Sequence, residues 1–369
     1  MLKNRERFKY FDITLLGVYL TMVILGIFVI YSASYTPGQG SYNYYIRQIY
    51  WCVISILIFL FFSFLNYRIL IKYAYFLYIL GMLFLVYVLI MGHISMGAQR
   101  WINLGGFKFQ PSEIFKVIWI IMLARIFNDF EKDRLNFVKI VKKSLLMLPP
   151  FLLIFLQPDL GTAGLFILTW GFVLLFRGIN IRTLIVLFVI GFAGIFLIWE
   201  NLHDYQRQRV ITFVNPAADP FGSGYHIIQS KVAIGSGGFF GKGYLKGTQS
   251  QLNFLPEKHT DFVFSVLCEE FGFLGGASIV FLFLLLLYRI SQVAIVAREV
   301  NGKLLCMSCI NLIFLQSFIN SAMTIGFMPV VGIPMPFISY GGSSLMTFSA
   351  LLGIINSISI NRFRRPTVD

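Results

Sequence analysis

Charge is what this sequence has least of. Only 12% of its 369 residues are Asp, Glu, Lys or Arg, against about 25% in an ordinary soluble domain. Acids are the scarcer sign, 16 against 30 basic residues, and there are four histidines. The four cysteines, Cys52, Cys268, Cys306 and Cys309, lie in or beside apolar runs. They make no disulfide framework, and Cys306 with Cys309 lacks the second pair that a zinc site needs. A Walker-type phosphate loop is missing too. In place of charge stand 57% hydrophobic residues, with 40 Phe in the chain and a mean hydropathy of +0.78. A soluble domain of this size could not bury that much apolar surface. A globular cytosolic enzyme is therefore excluded, and lipid is the solvent for most of the chain.

A helix needs about 20 apolar residues to cross the hydrocarbon core. Ten runs qualify, near 12–32, 48–65, 69–91, 111–127, 144–158, 161–177, 181–199, 267–288, 304–326 and 339–360. The expected fold is an all-α polytopic integral membrane protein with ten transmembrane helices. Residues 1–369 form a single membrane domain, and residues 200–258 make one large extracytoplasmic loop between helices 7 and 8. A basic head, Lys3 to Lys9, precedes the first run, and no small-residue cleavage site follows, so that run reads as an anchor.

With both termini in the cytoplasm, the inner segments collect most of the basic residues. Among them are Arg68, Lys72, Arg125, Lys142, Lys143, Arg289, Lys303 and Arg362. The net charge of +14 thus reads as a topology signal facing anionic lipid, with no nucleic-acid partner implied. Residues 129–143 look amphipathic and suit an interfacial helix.

The outer face is where acids gather: Glu113, Asp159, Glu200, Asp204, Asp219, Glu257, Asp261, Glu269 and Glu270. Ionisable groups near membrane depth are costly. Each either pairs internally, with Arg100, Lys116 or Arg209, or serves a site. Pro111 starts a helix in FQPSE, where Glu113 is also an ordinary first-turn acid and Lys116 shares its face. Asp159 sits in a tight turn, QPDLGT. Glycines between 235 and 247 alternate with Lys242 and Lys246, a stretch that either presents backbone N–H groups to phosphate or is simply flexible. In LPEKHTDFVFSVLCEE, Asp261 falls near a helix start whose dipole favours the carboxylate, while burial opposes it. A carboxylate held between those effects suits a general base. Residues 261–270 either continue the following helix or form a separate turn, with Gly272 or Gly275 as the break. Three prolines and four glycines in GFMPVVGIPMPFISYGGSS imply non-helical backbone lining a wet cavity that opens outward.

One base, flanking cations and a lateral opening to lipid suit glycosyl transfer from a lipid diphosphate. The sugar hydroxyl needs a carboxylate to take its proton, and the diphosphate needs positive charge, from Arg, Lys or a divalent cation such as Mg²⁺ or Mn²⁺. Asp261, Asp159, Glu257 and His259 could offer metal ligands, yet no metal spacing is recognisable and the metal site is unknown. A transporter with a charged cavity would share many of these features.

The ordered series GAQRWINLG, FQPSE, QPDLGT, FLPEKHTDFVFSVLCEEFGFLG and GIPMPFISYGGSS resembles the SEDS family (shape, elongation, division and sporulation) over nearly the whole chain. GTQSQLNFLPEKHTDF is most similar to its elongation branch. The resemblance implies a bacterial cytoplasmic-membrane peptidoglycan glycosyltransferase. Such an enzyme joins lipid II into undecaprenyl-linked glycan at the outer face, beside a class B penicillin-binding protein. It implies Asp261 as the base, Glu113, Lys116 and Asp159 as sensitive positions, and Arg100 and Arg209 as basic positions able to meet diphosphate. Glu257 and His259, flanking the base in the same motif, join the substrate-binding set. Two other readings stand beside it: a lipid II flippase, and a non-catalytic scaffold of a cell-wall complex.

Overall fold

A computed structural model describes residues 10–362 apart from 37–39, 42, 96–97, 105–106, 129–136, 179, 181, 184, 188, 190, 192–193, 195–203, 217–218, 220–221 and 256. The predicted run at 181–199 lies mostly outside the described residues, as does the first half of the predicted interfacial helix. Its second half is helical, Phe137–Ser144.

Helices dominate. Those labelled here are α1 (Ile13–Ser34), α2 (Tyr44–Phe64), α3 (Tyr67–Lys72), α4 (Ala74–Met91), α5 (Pro111–Phe127), α6 (Phe137–Ser144), α7 (Leu148–Leu156), α8 (Leu160–Phe176), α9 (Asp204–Val214), α10 (Ser223–Gly237), α11 (Thr248–Gln251), α12 (Val263–Val296), α13 (Val300–Ile325) and α14 (Gly342–Asn361). Among the described residues six of them, α1, α2, α4, α12, α13 and α14, are long and apolar enough to cross a membrane. Phe61, Phe273 and Phe281 stay more than 60% exposed on these helices, as side chains facing hydrocarbon do.

The interior is stitched by polar side chains, which serve as glue where no hydrophobic gradient separates helix from lipid. α14 is almost wholly buried and packs chiefly on α2. Its Ser349 hydroxyl meets Tyr19 of α1 at 2.7 Å. Asn356 accepts from the Asp12 amide at 2.9 Å and donates to Ser63 at 3.2 Å. Asp12 also caps α1 through the Leu15 amide and pairs with Arg289 of α12 at 2.8 Å. One end of the bundle is thereby tied together by a single carboxylate.

Two further features of the fold bear on function. The link before α5 folds into an antiparallel sheet of β3 (His93–Ser95), β4 (Ala98–Leu104) and β5 (Phe107–Phe109), and a two-residue pair, β1 (Tyr35–Thr36) with β2 (Gly40–Ser41), precedes α2. The segment expected as one large loop carries α9, α10 and α11.

α12 breaks at Gly272, whose φ of 64° and ψ of −157° lie outside the helical range. The break frees the carbonyls of Glu269 and Glu270 and the amides of Phe273 and Leu274. The glycine-rich segment meets all four: Lys242 N and Gly243 N donate to the carbonyls at 3.1 and 2.9 Å, and Gly238 O and Phe239 O accept from the amides at 2.9 and 3.3 Å. A Cβ on Gly272 would lie 2.4 Å from Gly241 N. Only glycine permits both that approach and that backbone conformation.

Candidate active site

The segment Glu257–Phe262 is a tight turn ahead of α12, and both edges of its backbone are held. The amides of Thr260, Asp261 and Phe262 all donate to Glu257 O, at 3.1, 3.1 and 3.4 Å. Three successive carbonyls face the other way and are each met from the C-terminal third of the chain. Tyr340 N donates to His259 O at 2.9 Å, Ser339 Oγ to Thr260 O at 2.6 Å, and Asn320 Nδ2 to Asp261 O at 3.0 Å. A turn restrained on both sides presents the Asp261 carboxylate in a fixed direction.

Its opposite wall is the proline-rich segment between α13 and α14, non-helical as its sequence predicts. Backbone of this kind at membrane depth needs partners for its carbonyls, and side chains supply them. Arg209 of α9 donates to Val330 O at 3.0 Å, Asn320 to Ile333 O at 2.7 Å and Gln316 to Pro334 O at 2.9 Å. Between these anchors Gly332, at φ 73°, leaves a gap. A Cβ there would stand 3.5 Å from Asp261 Oδ2 and 4.0 Å from an Arg209 guanidinium nitrogen. Carboxylate, cation and open space therefore adjoin.

Asp261 is half-buried, and its carboxyl is pushed up from 3.8 to about 6. Burial contributes most, then the Glu257 charge, while Arg209 and Arg100 pull it back. It is still mostly ionised at neutral pH and basic enough to take a proton. His259 is driven below its usual range by burial, against the pull of Glu257. His226 of α10 is lowered by burial and by Arg209. Both imidazoles are thus shifted toward the neutral form.

Arg100 reaches the site from β4. It donates to the carbonyls of Gln157 and Pro158 and sits 3.6 Å from Asp159. Asp159 is the N-cap of α8, accepting from Thr162 N at 3.2 Å, and receives Gln110 Nε2 at 3.3 Å. Glu113 and Lys116 lie deeper, as an almost fully buried pair at 2.6 Å. Lys116 also donates to Gln316 Oε1 at 2.9 Å, and Gln316 in turn holds Pro334 O, two residues from Gly332. The pair thus supports the wall through Gln316.

No group of three or more His, Cys, Asp or Glu side chains converges as a cation site among the described residues. The two carboxylates of Asp261 and Glu257 do not by themselves fit a resident metal. A cavity of about 590 Å³ between α1, α12 and the glycine-rich segment is lined by Leu25, Phe28, Phe240, Leu267, Phe271 and other mostly apolar groups. It holds no carboxylate, imidazole or amine, and the candidate site is the polar cluster at Asp261.

The family described as cell cycle protein, FtsW/RodA/SpoVE, matches residues 12–364. The chain belongs to this family. Peptidoglycan glycosyltransferase MrdB of Escherichia coli (strain K12) is 43% identical over 96% of the chain and 94% of its own length. Peptidoglycan glycosyltransferase RodA of Treponema pallidum (strain Nichols) is 31% identical over 95% and 97%. A solved structure described as the structural coordination of polymerization and crosslinking by a peptidoglycan synthase complex superposes with a TM-score of 0.81 at 32% identity. It covers 96% of this chain and 99% of its own. Thermus thermophilus rod shape determining protein RodA gives 0.72 at 28%, over 96% and 98%.

In this FtsW/RodA/SpoVE member the turn brings Asp261, Glu257 and His259 together, and Arg209, Arg100 and Asp159 gather near them. Sequence reasoning missed Gln316 and Asn320. Two side-chain amides spaced i, i+4 in a helix apolar enough to span a membrane were a readable signal of interior polar contacts. In the glycine-rich stretch, left open as a phosphate cradle or a flexible loop, several donors are engaged by the chain itself: Lys242 N and Gly243 N by the carbonyls of Glu269 and Glu270, Leu245 N by the Glu270 carboxylate and Lys242 Nζ by the Glu269 carboxylate.

Proposed function

We propose that the chain is a peptidoglycan glycosyltransferase that polymerises lipid II in the bacterial cytoplasmic membrane. It crosses the bilayer with ten helices, both termini lie in the cytoplasm, and Asp261 faces outward. Asp261 takes the proton from the 4-hydroxyl of the acceptor GlcNAc. The freed oxygen forms a bond to the anomeric carbon of the donor MurNAc, with inversion, as the bond from that carbon to the phosphate oxygen breaks. Undecaprenyl diphosphate leaves with the electron pair, and Arg209 and Arg100 offset its charge. Glu257, beside the base, keeps its proton affinity high enough for the transfer.

The observation that carries this reading is a raised carboxylate, Asp261, beside a guanidinium and a glycine-lined gap. Two carboxylates dividing acid and base work would suit glycoside hydrolysis instead. The relatives named above as peptidoglycan glycosyltransferases support it, and the synthase-complex neighbour supports a class B penicillin-binding transpeptidase as partner. The test is gel analysis of glycan made from purified lipid II by the parent and by Asp261→Ala. The parent yields polymer and the variant yields none while folding normally. Polymer from Asp261→Ala rejects the assignment. Outward exposure of lipid II in proteoliposomes without chain growth would instead identify a flippase.

A further inference from the structure

Beside the base stand three rings that the reaction just described does not use. His259 lies two residues before Asp261. Its imidazole stacks on Tyr44, with centroids 4.4 Å apart and planes at 21°. Tyr340 stands edge-on to both, at 5.2 Å from Tyr44 and 5.7 Å from His259. The cluster draws on three distant parts of the chain: the first turn of α2, the Asp261 turn, and the residue before the glycines that start α14. Aromatic groups that merely fill a core are buried, as Tyr19, Phe59 and Phe337 are here. All three of these rings are half-exposed. The imidazole is neutral at physiological pH, because burial lowers its proton affinity, so the cluster offers apolar ring surface with polar edges. Arg47, exposed on the next turn of α2, hydrogen-bonds Tyr340.

Rigid aromatic surface edged by hydrogen-bonding groups, beside a base, matches the C–H face and rim hydroxyls of a pyranose. We propose that Tyr44, His259 and Tyr340 form a saccharide subsite that seats the sugar whose hydroxyl Asp261 deprotonates, with Arg47 and the tyrosine hydroxyls at its polar edge. This rests on the glycosyltransferase reading and adds to it a binding surface for the acceptor ring. The positive groups closest to the carboxylate in effect, Arg209 and Arg100, suit the diphosphate of the donor, whereas the aromatic trio suits an uncharged ring. The two substrates are thus separated by chemistry on either side of one proton transfer.

The experiment measures lipid II polymerisation by the full chain against lipid II concentration, for the parent, Tyr44→Phe, Tyr44→Leu and Asp261→Asn. Melting temperature and the pH profile are recorded alongside. Loss of one ring face is expected to raise KM about tenfold in Tyr44→Leu with kcat held within about twofold. Tyr44→Phe, which keeps the ring and loses only the edge hydroxyl, raises KM by less than Tyr44→Leu does, and the acid limb of the pH profile does not move. A fall in kcat at constant KM, or a shifted acid limb, would mean that the ring only steadies the turn and would overturn the subsite. Unchanged KM and kcat would overturn it as well. Should Tyr44→Leu not fold, Tyr340→Leu is read by the same criteria. A fully active Asp261→Asn defeats the underlying reading of function, whereas an inactive Asp261→Asn with an unaltered Tyr44→Leu defeats the subsite alone.

Discussion

A base raised by its surroundings costs the fold something, and the size of that cost can be measured. The Asp261 carboxyl moves from 3.8 to about 6. At 1.36 kcal/mol per unit the ionised form costs the folded state at most about 3 kcal/mol, less in practice because the group is only half-buried. The sign follows from linkage. Below about pH 4 the group is protonated in folded and unfolded chains alike, and no penalty exists. As pH rises the unfolded chain ionises first, so stability falls until the folded carboxyl ionises near pH 6, above which the penalty is constant.

Asp261→Asn removes the charge with little change of shape. At pH 7.5 its melting temperature should exceed that of the parent by about 5 °C, taking ~2 °C per kcal/mol for a long chain. Its polymerase activity should be gone. The gain should shrink as pH is lowered through 6 and vanish near 4. Differential scanning of both proteins in one detergent, paired with the lipid II gel assay, tests each half. A variant that is less stable at neutral pH, or whose gain persists at pH 4, would refute the claim that burial and Glu257 set the basicity of this group. The parent's own activity should fall with a single proton below about pH 6, since only the ionised carboxylate can accept one.

The buried pair gives a second test: Lys116→Met leaves Glu113 charged and unpaired, which costs about 3–5 kcal/mol, and the double change Glu113→Gln with Lys116→Met should recover much of the lost melting temperature. Gly332→Ala sets a methyl 3.5 Å from Asp261 Oδ2 at positive φ. A strain of about 1 kcal/mol shifts melting by only a few degrees, but kcat should drop far more, because the gap beside the base is filled. Gly272→Ala drives a Cβ to 2.4 Å from Gly241 N and should abolish recovery of folded protein, as judged by size-exclusion profile.

Local signals were legible in the sequence. Pro111 with Glu113 in the first turn and Arg125 in the last marked α5, and the observed bounds are those expected. Gly272, one of two glycines offered as the break after Asp261, is the one with the non-helical backbone. Strands of three to seven residues in β3, β4 and β5 were not legible, because the link between α4 and α5 lacks the alternation that betrays a half-buried strand. What local pattern could least supply was the division of labour among the acids, which looked alike as a row of carboxylates near apolar runs. Asp159 gained its cation, Arg100, from a strand 59 residues earlier in the chain. Glu269 became the acceptor for Lys242, Gln249 and Ser250, 27, 20 and 19 residues before it. Burial, few donors to its carboxylate and a second acid beside it raised the proton affinity of Asp261. A carboxylate surrounded by donors is stabilised as an anion and becomes structural, while one left short of donors keeps its appetite for a proton. The distinction between scaffold and base is therefore made by long-range partners, and changing those partners, more than the acid itself, is how such a site would be retuned.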